Sequence, residues 1–215
     1  VPFNFDSTFH KPDHFTTGDN FWEKGTKWQT WNWENKCLGL KFRDLGTRQK
    51  PKIEVSIYSD EKLYKDFIES LIDEIRYRYN LLLDLIPFYE KFRSDKVLEP
   101  IIKKWKGMRP GHPSSLYEYL LIGIVLQNAT VRRSMQMFKA LIESYGTELE
   151  FDGKKLWCFF KPGRLQKVSE EELRALKLGY RVKSIKKIDD YFVQELMDEM
   201  KLRKTDRETQ MTELL

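Results

Sequence analysis

The chain has only two cysteines among its 215 residues. Cys37 and Cys158 lie far apart and neither belongs to a C-x-x-C pair, so the sequence offers no disulfide framework, no zinc-finger spacing and no complete iron–sulfur ligand set. The three histidines, His10, His14 and His112, are scattered and predict no metal site. This composition fits a reducing compartment, and we expect no cofactor.

Long hydrophobic runs are also missing from the chain. The most apolar stretch, residues 120–126, is far shorter than the roughly 20 residues that span a bilayer, and no signal peptide opens the sequence. Internal repeats and low-complexity segments are absent as well. We therefore expect a cytoplasmic protein that does not contact a membrane.

What the chain does contain is ample material for a folded core. Hydrophobic residues make up 40% and aromatic residues 14% of the sequence, and a composition of this kind is typical of a folded protein and not of a disordered one. The formal net charge is +5. A basic balance favours a polyanionic partner, although charge alone does not identify one.

The first sixty residues have the features of β structure. Phenylalanines recur over residues 3–9, an aromatic run covers 28–33, and apolar and polar side chains alternate over 53–58. The connections are too short for crossover helices, so we expect an antiparallel sheet. Four glycines are assigned to its turns: Gly18, Gly25, Gly39 and Gly46.

Helical spacing replaces this alternation from Asp60 onward. An amphipathic helix is predicted to end or bend at Pro87, and two short helices follow over 87–93 and 96–105. A basic, turn-rich connector over 106–113 marks the predicted boundary between a first domain, 1–106, and a second, 107–215. The predicted fold class is α+β: an N-terminal antiparallel β-sheet followed by a mainly α-helical region.

The second region is organised around residues 120–139, where an apolar helical pattern breaks into Gln127-Asn128-Ala129-Thr130 and then resumes. We call residues 127–130 the elbow. A helix capped by Ser114 or Ser115 is expected before it, and a second helix is expected to end at Gly146. Arg132 and Arg133 directly follow the elbow, so the segment could hold a phosphate or a base edge.

Turn and capping signals organise the remaining sequence. They predict a hairpin that turns at Asp152 and Gly153, a short helix capped by Ser169 with Glu172 and ending near Lys177, a long helix over 182–200, and a last helix capped by Thr205 with Glu208.

Several separated motifs follow one another in the second half of the chain: Gly107-Met108-Arg109, Leu126 to Thr130 with Arg132, Phe160-Lys161-Pro162, residues 168–176, and residues 178–185 with Gly179-Tyr180-Arg181. These motifs and the order of elements resemble the helix-hairpin-helix DNA glycosylase superfamily, and in particular its 8-oxoguanine DNA glycosylase branch. The resemblance covers most of the chain and is strongest from Gly107 to Phe192.

The resemblance implies specific roles in flipping a damaged nucleotide out of the DNA stack. Gln127 matches the side chain that fills the vacated space, with Asn128 beside it. Arg132 and Arg181 match two positions that contact the cytosine left behind, and Tyr180 would support the second of them.

Two further roles are assigned. The hydroxyl of Thr130 and the positive charges of Arg133 and Lys183 make these residues candidate phosphate contacts, and the resemblance supplies the second role. Gly18 is a candidate for the base pocket, because that branch carries an early glycine whose carbonyl helps to read the oxidised base, although Thr17 to Trp22 match the branch's stretch only in part. The superfamily's Gly-rich hairpin, catalytic aspartate and Schiff-base lysine would lie beyond Leu215, so no catalytic residue is expected in this chain, and the chain alone is expected to be inactive.

The implied function is a base-excision-repair DNA glycosylase, in its N-terminal portion, that removes an oxidised purine, most simply 8-oxoguanine opposite cytosine. An AP lyase step is open. The expected partner is double-stranded DNA with a damaged base, bound by a nucleoid-associated monomer. The alternatives are a glycosylase for alkylated purines of the 3-methyladenine type and a non-catalytic helical DNA-binding module.

Simpler readings stand beside these assignments. The elbow could be only a turn between two helices, with Asn128 or Thr130 as the N-cap. Arg132 and Arg133 could be solvated surface charges. The aromatic run with Trp28, Trp31 and Trp33 favours core packing over a base-stacking platform. Acidic side chains on the first long helix, Asp73, Glu74 and Asp84, are read as a charged face and not as a catalytic set.

Overall fold

The structure is a computed structural model that describes residues 2–10 and 18–214. His14 and Thr17 therefore lie outside the described residues. The chain divides into two compact units. Unit 1 comprises Val1–Pro113 and Glu148–Cys158, and unit 2 comprises Ser114–Thr147 and Phe159–Leu215. The first segment of unit 1 ends at Pro113, beyond the predicted boundary at residue 106. Whether two domains fold independently on either side of that boundary stays a prediction.

Two of the phenylalanines near the start lie in a helix, α1 (Phe5–Phe9), so the predicted β structure is wrong there. The Asn4 side chain accepts a hydrogen bond from the backbone N–H of Ser7 and caps the helix. The rings of Phe5 and Phe9, one helical turn apart, stack at 4.5 Å between centroids and are both buried. The spacing of four residues was therefore a helical signal.

The predicted antiparallel sheet is confirmed. Four strands pair in sequence order and each pair is antiparallel: β1 (Asn20–Glu23), β2 (Thr26–Trp33), β3 (Lys36–Asp44) and β4 (Ile53–Tyr58). Gly39 lies inside β3 and not in a turn, which corrects its assignment. A Cβ atom there would lie 2.6 Å from the ring of Phe151, so the position has room only for glycine.

The core of unit 1 is rich in aromatic side chains. Trp31, Phe42 and Tyr79 are buried together with Leu38 and Leu40 of β3. Trp28 is also buried, but it belongs to a separate small cluster. The interpretation of the tryptophan run as packing is confirmed for the two buried tryptophans.

The first long helix is α2 (Lys65–Arg78), which ends well before Pro87. It stops because Asn80 takes a positive φ of 48° shortly after its last residue. Pro87 lies in the first turn of α3 (Ile86–Lys91), where its missing N–H has no partner to lose. Helix α4 (Leu98–Lys104) follows, so both predicted short helices are present.

The predicted hairpin is confirmed as β5 (Thr147–Phe151) and β6 (Lys154–Cys158). Asp152 and Gly153 both have positive φ, 49° and 69°, as a two-residue I′ turn requires. The Asp152 carboxylate accepts hydrogen bonds from Trp28 Nε1 at 2.6 Å and from the Tyr58 hydroxyl at 3.2 Å, and it pairs with Lys41 Nζ at 2.6 Å. The turn residue thereby fastens the hairpin to the sheet.

Unit 2 is built from helices with loops between them. Its elements are α5 (Leu116–Leu126), α6 (Val131–Tyr145), α7 (Glu170–Ala175), α8 (Arg181–Val193), α9 (Glu199–Leu202) and α10 (Arg207–Leu214). Ser115, one of the two expected caps, begins α5 and also forms a capping box with Glu118. Ser169 and Glu172 form the predicted capping box of α7. The α+β fold class is confirmed. Among the described residues, the structure has no helix of the length and apolarity needed to cross a membrane.

Two predictions about the end of unit 2 are wrong. The long helix over 182–200 is interrupted: α8 ends at Val193, Glu195 takes a φ of 55°, and the Asp198 side chain caps α9 by accepting from the N–H groups of Met200 and Lys201. In the last helix the capping side chain is Asp206, which accepts from Thr209 N, whereas the Thr205 hydroxyl donates to the carbonyl of Leu202.

Unit 1 contains one buried ion pair on α2. Arg78 Nε donates to Glu74 Oε1 at 2.5 Å, and each side chain is only 3% exposed. The guanidinium also lies 4.3 Å from the centroid of the Trp31 ring and donates to the carbonyl of Pro113 at 3.2 Å. Removing one partner of such a pair leaves a charge without compensation in a dry environment.

We therefore predict that Glu74→Gln lowers the free energy of unfolding of unit 1 by roughly 3–5 kcal/mol. Urea unfolding followed by tryptophan fluorescence measures this, because all six tryptophans lie in unit 1. Glu69→Gln is the matched control on the same helix: its carboxylate is 62% exposed and faces Lys65 at 3.6 Å, so we expect a change within about 0.5 kcal/mol. Equal effects of the two substitutions would contradict the prediction.

A second prediction concerns the pH dependence of the hairpin anchor. The hydrogen bonds from Lys41 and then Trp28 hold the pKa of Asp152 below its ordinary value of 3.8. A carboxyl whose pKa is lowered on folding stabilises the protein above its unfolded pKa, and this contribution is lost as the pH falls through the folded pKa. Asp152→Asn should thus lower the Tm of unit 1 at neutral pH, and the difference from the unsubstituted chain should shrink below pH 3.8.

Thermal melts followed by tryptophan fluorescence between about pH 7 and about pH 3 test this. Asp60→Asn is the control, because Asp60 is exposed and makes none of these contacts. A Tm difference for Asp152→Asn that stays constant across the range would show that its charge does not stabilise the hairpin.

Candidate nucleic-acid interface

The elbow connects α5 to α6 through four residues. Gln127 ends α5 with an extended ψ of 126°, and Asn128 takes a positive φ of 47°, which amide side chains tolerate better than most. Thr130 caps α6, because its hydroxyl accepts from the backbone N–H of Arg133 at 3.3 Å. The N-cap reading of Thr130 is confirmed. Gln127, Asn128 and Thr130 are exposed, so this turn displays amide and hydroxyl groups.

The turn between α7 and α8 lies against the elbow. Gly179 takes a φ of 62°, which lets the backbone turn sharply before α8 begins. Arg181 is buried, with 7% of its surface exposed. Its Nη2 donates to the main-chain carbonyl of Gln127 and its Nη1 to that of Leu178 at 3.5 Å.

Tyr180 supports the same contact. The Arg181 guanidinium lies 4.7 Å from the centroid of the Tyr180 ring, so the predicted contact between the two side chains is present. The Tyr180 hydroxyl also donates to the Gln127 carbonyl at 3.5 Å, while 57% of the residue stays exposed. The Gln127 carbonyl thus accepts hydrogen bonds from both a guanidinium and a phenol hydroxyl.

Two more hydrogen bonds fix the start of α6. Arg133 Nη2 donates to the carbonyl of Lys177 at 2.9 Å. The hydroxyl of the fully buried Ser134 donates to the carbonyl of Val125 at 3.2 Å. The sequence analysis missed Ser134; a small polar side chain one residue after an arginine pair gave no distinctive signal.

The structure therefore brings Gln127, Tyr180 and Arg181 into direct contact, with Asn128 next in the chain. Arg132 lies in the first turn of α6 and Lys183 in the first turn of α8, and both are exposed. Gly18 belongs to unit 1, where its carbonyl accepts a hydrogen bond from the backbone N–H of Trp157 at 2.8 Å. The DNA-binding roles of all these residues, including Gly18, stay predictions.

Basic side chains of unit 2 lie close to the start of α7. The pKa of Glu170 is lowered, first by the hydrogen bond from Arg174 at 2.9 Å and further by the charges of Lys183 and Lys186. Lys186 Nζ donates to the carbonyl of Val168 at 2.6 Å, so it is held in place. The first turn of α7 is itself acidic, so this segment carries charges of both signs.

A buried carboxylate in α8 was also missed. Asp189 Oδ1 accepts from the Tyr117 hydroxyl at 2.6 Å and from the backbone N–H of Gly163 at 2.8 Å. Burial, together with the bond to Asp189, raises the pKa of Tyr117 strongly. A polar residue seven positions after Val182 and four after Ile185, on the apolar stripe of α8, was the available signal. Asp189 joins α5, α8 and the 161–164 loop.

No group of His, Cys, Asp or Glu side chains in residues 2–10 and 18–214 is arranged to hold a metal ion.

Comparison with known proteins gives one sequence relative and several structural ones, while no family model matches. The chain is 25% identical over 137 residues to a DNA-3-methyladenine glycosylase of Bacillus subtilis, which covers 59% of this chain and 45% of that protein. The chain thus spans less than half the length of this curated relative.

Two solved structures share the fold. A 3-methyladenine DNA glycosylase from Archaeoglobus fulgidus matches with a TM-score of 0.77 and 16% identity, over 97% of this chain and 69% of that one. An 8-oxoguanine glycosylase/lyase of Clostridium acetobutylicum, in complex with double-stranded DNA that has cytosine opposite 8-oxoguanine, matches with a TM-score of 0.66 and 17% identity, over 96% and 65%. The sequence relative and the shared fold together confirm the predicted resemblance to the helix-hairpin-helix DNA glycosylase superfamily.

Proposed function

We propose that this chain is part of a base-excision-repair DNA glycosylase that flips and removes an oxidised purine, 8-oxoguanine opposite cytosine. The observation that carries the proposal is the elbow. Gln127 and Asn128 are exposed on a turn whose backbone is held by Arg181 and Tyr180. Extruding a nucleotide costs a few kcal/mol of stacking and pairing, and a rigid turn that displays amides can fill the gap and offset this cost.

The opposite base is read by guanidinium groups in this proposal. A cytosine that has lost its partner offers its O2 and N3 acceptors, which suit the rigid donor fork of arginine. Arg132 is exposed beside the elbow and free to turn toward DNA. The resemblance assigns the same base to Arg181, whose guanidinium contacts the Gln127 carbonyl in the structure.

The remaining roles concern backbone contacts and the base itself. Thr130, Arg133 and Lys183 would contact phosphates near the elbow and make affinity depend on salt. Gly18 would line the pocket for the extruded base. Double-stranded DNA with a damaged base is thus the partner, bound by one copy of the chain in the nucleoid.

The proposal assigns recognition and flipping of the damaged base to this chain. Excision itself needs a group that stabilises the positive charge developing on the sugar, and a lyase step needs an amine nucleophile. None of the residues named above is assigned either of these two roles. We expect the chain to bind lesion duplexes.

A glycosylase for alkylated purines is the second candidate. The observation that favours it is the similarity of this chain to two 3-methyladenine glycosylases, those of B. subtilis and A. fulgidus. Equilibrium binding to duplexes with an abasic-site analogue opposite cytosine or thymine separates the candidates. Preference for cytosine supports the oxidised-guanine assignment; tight binding to both supports the alkylated-purine assignment. Equal binding to lesion and undamaged duplexes would favour a non-catalytic DNA-binding module.

We predict that Gln127→Ala weakens binding to the abasic-analogue duplex by about 10- to 100-fold, since the side chain offsets part of the cost of extrusion. Binding to undamaged duplex should change by less than about twofold, because no gap is present there to fill. Fluorescence anisotropy with labelled duplexes measures both. Gln136→Ala, at an exposed position of α6, is the matched control. Equal losses on the two duplexes would reduce Gln127 to a generic contact.

We also predict that Arg132→Ala removes most of the preference for cytosine over thymine opposite the lesion, since a bidentate arginine contact to a base is worth roughly 1–3 kcal/mol of discrimination. The same anisotropy titrations give the ratio of the two dissociation constants. Arg174→Ala is the control that also removes one exposed positive charge, because Arg174 pairs with Glu170 on α7. A ratio that Arg132→Ala leaves unchanged would exclude Arg132 as the reader.

A further inference from the structure

Two arginines cross in opposite directions between the elbow and the turn before α8. Arg133, which follows the elbow, donates to the carbonyl of Lys177 in that turn at 2.9 Å. Arg181, the first residue of α8, donates to the carbonyl of Gln127 in the elbow. The elbow together with the first turn of α6 thus supplies one guanidinium and one carbonyl. The turn before α8 together with the first residue of α8 supplies the other two groups, so the two segments are joined reciprocally.

Both acceptors lie where a cation is favoured. Gln127 is the C-cap residue of α5, and Lys177 directly follows the C-cap residue of α7. The last carbonyls of a helix have no partner within the helix and carry the negative end of its dipole. Hydrogen bonds from a charged donor to such groups are stronger than those between neutral groups. Arg181 therefore satisfies a helix end and binds the opposite segment in one contact, whereas Arg133 binds a carbonyl one residue past the end of α7.

We propose that Arg133 and Arg181 form a reciprocal clasp that fixes the backbone of the elbow, so that Gln127 and Asn128 are displayed in one arrangement. Arg181 is then a positioning residue for these side chains and not the reader of the opposite base. The inference rests on the proposed function of the elbow, and it assigns base reading to Arg132 alone.

Burial separates the two arginines that the resemblance assigns to the opposite base. Arg181 is 7% exposed, bonded to two carbonyls and covered on one face by the Tyr180 ring. To reach a base it would have to leave the Gln127 carbonyl and release the elbow. Arg132 is exposed and can contact DNA while the clasp stays closed.

Hydrogen exchange of the full chain tests the clasp without DNA. We expect Arg133→Ala and Arg181→Ala each to speed amide exchange at residues 124–127 and 177–182 by about tenfold, which corresponds to roughly 1.4 kcal/mol. The β5–β6 hairpin of unit 1 should keep its exchange rates, which separates a local release from a general loss of stability. Arg133→Ala keeps the test available if the buried Arg181 does not tolerate substitution, and Arg174→Ala is the control.

Duplex binding supplies the second readout. We expect both variants to lower the preference for abasic-analogue over undamaged duplex by a similar factor, and the double variant to lose little more than either alone, because either substitution opens the same contact. The ratio between cytosine and thymine opposite the lesion should stay unchanged.

Two results would overturn the inference. One is a response of the elbow amides to only one of the two substitutions, which would remove the reciprocity. The other is loss of cytosine preference in Arg181→Ala with normal exchange at the elbow, which would make Arg181 the reader. If the unsubstituted chain shows no preference for lesion duplex, the proposed function fails, while the exchange measurement still decides whether the clasp exists.

Discussion

The main-chain carbonyl of Gln127 is the acceptor that holds the candidate site together. A helix leaves its last carbonyls without partners, and in α5 this group is satisfied by Arg181 and Tyr180 from a segment some fifty residues later in the chain. This carbonyl belongs to Gln127, whose side chain is the proposed wedge. The hydrogen bonds that satisfy the carbonyl therefore also fix the direction of the wedge side chain. A mobile loop would have to be ordered when its wedge enters DNA, and the entropy lost in that step would weaken binding.

In unit 1, the turn of the β5–β6 hairpin also combines a local role with a long-range contact in one residue. Asp152 suits the turn, since aspartate tolerates the positive φ of this position, and its carboxylate also binds Trp28, Tyr58 and Lys41 of the sheet. Asp152 thus serves both the local turn and a long-range contact. Local and tertiary preferences agree at this residue, which is typical of sequences that specify one structure.

The sequence predicted the sheet, the hairpin, the capping box of α7 and the elbow because each depends on residues that are close in the chain. It failed where a short-range signal was ambiguous. Phe5 and Phe9 suit a strand or a helix, and the Asn4 cap decides between them. The length of α8 was overestimated because the periodicity continues past Glu195, whose positive φ depends on its surroundings. Arg133 and Arg181 were recognised as important, but their acceptors are main-chain carbonyls, which no side-chain pattern reveals.

Substrate choice would follow from the separate roles of Arg181 and Arg132. If buried Arg181 sets the geometry of the elbow and exposed Arg132 meets the base, changes at Arg132 can alter which opposite base is accepted without disturbing the wedge. One fold can then serve both oxidised-guanine and alkylated-purine enzymes, as the two kinds of structural relatives illustrate. Discrimination would be an adjustable property of one exposed side chain, whereas base flipping would depend on a clasp that cannot change without loss of the elbow.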